Sequence, residues 1–186
     1  HDRGLTNAGP TPRSGDAEVT ITPPQIDTAA IGPILALAVA AMVVMVLSVT
    51  SSRGSGQLLA AVSLVGIVAA GLLLIPLAAS PRVAFSGLVI VDSLYAAFAG
   101  VVLLAAALTV LAAPTYLKRD GLVPGEFFAL VLFSADGALI LVTAHDLVVA
   151  VLGLETMTIA LYVLAGYARS RLSSEESALK YFLNGT

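Results

Sequence analysis

Three stretches of this chain, Thr28 to Ser52, Gly54 to Pro81 and Ser93 to Leu117, contain no charged residue. Each can cross a bilayer, because about 20 residues rising 1.5 Å apiece traverse a hydrocarbon core of roughly 30 Å. Two further apolar runs, 127 to 144 and 147 to 168, are interrupted by one acid each, Asp136 and Glu155. With no water to bond the backbone, runs of this length must be helices that satisfy their own N–H and C=O groups. The expected fold is all-α: a polytopic transmembrane helix bundle of five complete spans, about 28–50, 57–79, 89–113, 126–144 and 147–167, plus the start of a sixth from 174 to 186 onward. Composition agrees. Only 11% of the 186 residues are charged, against roughly 25% in an ordinary soluble domain.

The connections are short: "SSRGSG" (51–56), "SPRVAFSG" (80–87), "LKRDGLVPGE" (117–126), "HD" (145–146) and "ARSRLSSEE" (168–176), so neighbouring helices run antiparallel. Lys and Arg are retained on the cytoplasmic side. One side collects Arg53, Lys118, Arg119, Arg169 and Arg171, the other Arg82. The N-terminus is therefore expected outside. Residues 1–27, with four prolines and mixed charge, bury too little apolar surface to order themselves and are expected to form a disordered extramembrane tail ahead of a membrane domain at 28–186. Ser173 and Glu176 match a capping box, and Glu176 precedes Lys180 by four residues. A spanning helix that starts there cannot finish by Thr186, so the chain is expected to be the N-terminal portion of a longer polypeptide.

Several chemistries are excluded. With no cysteine there is no disulfide, thiolate nucleophile or cysteine-held iron-sulfur cluster, and His1 and His145 are too far apart for a metal motif. A formal charge of -3 with scattered basic residues offers no nucleic-acid surface. The partner implied is the lipid bilayer.

Function must then rest on ionisable groups inside the membrane. Glu155 lies nine residues past Asp146 and thirteen before Ala168, near the bilayer midplane. A charge there costs about 2.5 to 3.5 kcal/mol on insertion scales. Positions 151, 155, 158, 159 and 162 share one helical face, so Thr158 and Tyr162 can flank the carboxylate. Two readings are open: a protonated acid hydrogen-bonded to a neighbouring helix, or a station on an ion or proton pathway, the default for an intramembrane acid. Asp136, ten residues before Asp146 on the antiparallel fourth span, should lie at similar depth. Facing Glu155, it would hold a proton between the two acids; turned to another helix, it would be idle. Asp92 and Asp146 read as interfacial or helix-capping residues and His145 as a turn residue. Lys180 can snorkel to the interface or join a polar chain.

The segment from "EFFALVLFSADGALILVTAHD" through "LGLE", "LYVLAGY" and "SALKYFLNG", residues 126 to 185, closely resembles the subunit N family of bacterial NADH-quinone oxidoreductase, respiratory complex I. Upstream the likeness is looser, carried by "VDSLYAAFAGVVLL", which is similar to the family's third helix. The resemblance implies an antiporter-like, membrane-arm subunit of a proton-pumping translocase in the bacterial inner membrane, taking part in proton translocation coupled to quinone reduction. By position, the functional glutamate of the family's fifth helix falls on Glu155, the lysine of "ALKYF" on Lys180 and the acid four residues earlier on Glu176. Asp136, by its depth, joins them in the expected proton-translocation set. The central lysine of the seventh helix, which pairs with that glutamate, would lie beyond Thr186.

No redox catalytic site and no cofactor are expected in this chain. The resemblance places NADH, FMN, iron-sulfur clusters and quinone on partner subunits and makes other membrane-arm subunits of complex I its neighbours. Two positions depart from the family: Asp136 replaces a small or hydroxyl residue, and His145 replaces an asparagine before "DL". A multisubunit Mrp-type cation/proton antiporter, whose subunits are related, is the alternative. A structural membrane protein would have little reason to bear the insertion cost of Asp136 and Glu155.

Overall fold

A computed structural model describes residues 27–50, 56–167, 179–183 and 185. Five helices carry the fold: α1 (Gly32–Thr50), α2 (Gly56–Ala79), α3 (Ser93–Asp120), α4 (Pro124–Thr143) and α5 (Leu147–Ala165). All five are long and apolar enough to cross a membrane. The chain is thus a multi-pass helical bundle.

The connection between α2 and α3 departs from the expected irregular loop. Arg82–Ala84 (β1) pairs antiparallel with Val89–Val91 (β2), in the register Arg82 to Val91 and Ala84 to Val89. Val89, Ile90 and Val91, assigned to the third span by hydropathy, are therefore strand residues, and α3 begins only at Ser93 and runs on to Asp120. The reason is local: β-branched side chains suit a pleated ribbon as well as an apolar helix. Asp92 then caps α3, its Oδ1 accepting from the Tyr95 N–H at 2.7 Å. Asp146 caps α5 in the same way, accepting from Val148 N–H at 2.8 Å. Both acids are spent on helix starts.

One end of the bundle gathers the chain's N-terminal turn, the hairpin and the α4–α5 turn. Asp27, counted in the tail by the sequence reading, accepts from Ala29 N–H and meets Arg82 at 3.3 Å. Val89 bridges to Ala144, and His145 N–H donates to Leu88 C=O at 3.0 Å. At the opposite end α3 stops at Gly121, whose left-handed backbone (φ 66°) releases the chain into α4. Pro124 starts α4 two residues earlier than expected, at a position where the missing N–H costs nothing. The Tyr167 hydroxyl donates to Val123 C=O and its ring stacks edge-on against Phe127, fastening the end of α5 to this turn.

Helix α4 sits in the middle, against α1, α2, α3 and α5. Half of its spanning window is buried, against 11% for α5. Between lipid-facing helices, association depends on close packing rather than on the hydrophobic effect, and small residues let backbones approach. Gly66 of α2 lies against Ala40 of α1, and Gly125 of α4 against Ser48.

Candidate functional site

The α4–α5 contact sets the two intramembrane acids. A Cβ on Gly137 would stand 2.8 Å from the Gly153 carbonyl oxygen and 2.9 Å from Met157 Cα; one on Gly153 would stand 2.9 Å from Leu141 Cα and 3.0 Å from the Gly137 oxygen. The backbones touch because neither position carries a side chain. Asp136 precedes Gly137, and Glu155 falls between Gly153 and Met157, so the acids lie at similar depth. They do not face each other. Glu155 is two residues, about 200° of helical turn, from each of the residues that meet α4, so its side chain leaves α5 on the far side and is exposed among the described residues. Asp136 is buried, at 6% exposure.

Val151 and Ile159, one turn either side of Glu155, are likewise exposed. The Thr158 hydroxyl donates to backbone, to Leu154 C=O at 2.8 Å and Glu155 C=O at 3.3 Å, as hydroxyls inside helices commonly do. Tyr162 is occupied by aromatic neighbours, its ring centroid 5.1 Å from Tyr181 and 5.6 Å from Phe182. Those contacts hold helical residues 179–183 against the second half of α5. Lys180 belongs to this segment and is exposed. Tyr162 is seven residues past Glu155, so Lys180 sits about 10 Å further along α5. Glu176 lies outside the described residues.

Tyr95 was not singled out by the sequence. It is 2% exposed, and neither its hydroxyl nor Asp136 Oδ1 has a hydrogen-bond partner among the described residues. The available signal was a lone phenol at the start of an apolar run, three residues after its capping acid. His145 lines a cavity with Asp92 and Tyr95; only its backbone N–H takes part in the turn bonding described above. Among the described residues no group of three His, Cys, Asp or Glu side chains is placed to hold a metal ion.

Comparison with known proteins gives this geometry a context. Residues 144–186 match the family described as NADH:quinone oxidoreductase/Mrp antiporter, transmembrane. The chain is 32% identical to NADH-quinone oxidoreductase subunit N of Chloroflexus aggregans over 167 residues, covering 89% of this chain and 34% of that protein. It is 37% identical to subunit N of Trichlorobacter lovleyi over 153 residues, covering 82% of this chain and 31% of that one. Its structure matches a chain of respiratory complex I from Thermus thermophilus with a TM-score of 0.66 at 28% identity, over 81% of this chain and 32% of that chain. Sequence and fold agree: spanning about a third of the length of the relatives it matches, the chain belongs to the NADH-quinone oxidoreductase subunit N family.

Proposed function

We propose that this chain is part of a membrane-arm subunit of a proton-pumping NADH-quinone oxidoreductase in a bacterial inner membrane, taking part in proton translocation coupled to quinone reduction. The observation that carries the reading is Glu155: an exposed carboxyl group near the middle of a spanning helix, on the side turned away from α4. Isolated in lipid it would be costly; met by a cation, it becomes a switch. Ionised Glu155 favours a protonated lysine on the helix facing it, the role the family resemblance gives to a residue beyond Thr186, and withdrawal of the pairing lets that proton go. Lys180 and Glu176 would carry protons towards the end of α5 where "ARSR" lies, and Asp136 would hold one deeper in the bundle. NADH oxidation, FMN, iron-sulfur clusters and quinone belong, on this reading, to partner subunits, and Glu155 does no covalent chemistry.

Glu155→Gln, in the assembled complex reconstituted into vesicles, tests it. The substitution keeps size and hydrogen bonding, so assembly and quinone reduction persist while protons moved per quinone reduced fall. An unchanged ratio refutes the role and returns the acid to a structural part. The matching family's description also covers Mrp antiporters, which keeps a cation/proton antiporter as a second reading. Copurification of flavin and iron-sulfur subunits with the full-length protein favours the first; their absence, with sodium-dependent proton movement, favours the second.

A further inference from the structure

Helices α1 and α2 leave an apolar groove of about 490 Å³ along their outer seam. The two run antiparallel, with Gly32 beside Leu73 and Ala40 beside Gly66. Ala40 and Gly66 are buried at the floor of the groove, and Val39, Val65 and Leu73 stand exposed along its edges. Neither helix carries a charged residue, so the surface calls for hydrocarbon. The length of the groove says which kind. On α1 it runs from Gly32 to Val43, about 16 Å, and stops seven residues, about 10 Å, short of Thr50. A partner's transmembrane helix would lie along the whole hydrocarbon core of roughly 30 Å. A groove half that long, beginning at the hairpin end of α1, matches the acyl chain of a lipid in one leaflet.

Two opposite charges stand beyond that end. Bonds from Ala30 N–H to Asp27 C=O and from Gly32 N–H to Ala29 C=O carry the chain from Asp27 into α1, which puts Asp27 about 8 to 10 Å outside Gly32. Asp27 meets Arg82 at 3.3 Å, and both side chains are partly exposed. Among the described residues Arg82 is the one Lys or Arg at this end; Lys118 and Arg119 close α3 at the other. A guanidinium carries five N–H donors in a fork that fits a phosphate, and a carboxylate has four lone-pair sites. The pair as a whole is neutral, so the head it complements is a zwitterion, with its phosphate on Arg82 and its ammonium on Asp27.

We propose that this end of the chain holds one zwitterionic phospholipid, an acyl chain lying along the α1–α2 groove and the headgroup on Arg82 and Asp27. Dispersion contacts along the seam hold the tail, and charge-assisted hydrogen bonds hold the head. The site is separate from Glu155 and does not rest on the proton-pumping reading.

Photolabelling of the full-length protein in its complex, purified in maltoside detergent, tests it. The probe is phosphatidylethanolamine with a diazirine in mid-chain, and adducts are mapped by mass spectrometry of peptides. Labelling should saturate and fall within residues 32–43 and 62–73. Unlabelled phosphatidylethanolamine should displace the probe about tenfold better than diacylglycerol, the worth of one hydrogen bond to a charged group, and Arg82→Gln should erase that preference. Ala69→Phe, which fills the groove with another apolar side chain, should abolish the labelling; should it fail to assemble, Ala36→Leu is read in its place with the same expectation. Labelling that does not saturate, that survives the filled groove, or that diacylglycerol displaces equally well overturns the proposal. So does a photoreactive residue in place of Val39 that joins another polypeptide instead of lipid. Glu155→Gln should leave every one of these signals unchanged, which separates this site from the pumping role.

Discussion

Two hydrogens decide where the acids point. Gly137 and Gly153 let α4 and α5 meet backbone to backbone, and that contact rotates Asp136 inward and Glu155 outward. Gly137→Val should force the helices apart, since its side chain would begin within 3 Å of the facing backbone. Overpacking of this kind costs about 1–3 kcal/mol, to be read as a lowered thermal midpoint of the assembled protein; an unchanged midpoint would mean the two helices are not in contact there. The depth of both acids was legible in the sequence, because a charge in an apolar run announces itself by position alone. Their facing was not. An apolar helix in lipid is hydrophobic on every side, so no periodicity marks the buried face, and neither the burial of Tyr95 nor the Thr158 bond to the backbone could be read without the packing. The small-residue cluster "SADGA" was the one clue to a close approach.

Among elements, the hairpin was the least legible, since Val89 to Val91 are as apolar as the helix that follows them. It matters for where the cavity ends. The His145 N–H bond to Leu88 and the bridge from Val89 to Ala144 tie the hairpin to the α4–α5 turn, which brings Ile90, Ala144 and His145 together in the lining of one cavity. These bonds use the backbone, so His145→Ala should leave the hairpin's amide hydrogen exchange unaltered. His145→Pro removes the donor and should speed exchange across residues 88–91. Equal exchange in the two variants would show that the bond contributes nothing, and a loss of pumping in His145→Ala would give the imidazole a part in proton transfer that its place in the turn does not require.

For the whole molecule, the five spans form a bundle with α4 inside and α5 at the margin. The number of spans followed from hydropathy because bilayer thickness sets helix length; the order of burial did not, because it depends on which small residues meet. The margin is where function is proposed. Val151, Glu155 and Ile159 form one exposed stripe, and the account requires that in the complete protein this stripe meets a cationic helix and not lipid. A nitroxide attached at Ile159→Cys, one turn from Glu155 and sparing it, measures this in the assembled complex. The account predicts restricted motion and low collision with dissolved oxygen; a mobile label as open to oxygen as one known to face lipid would contradict it.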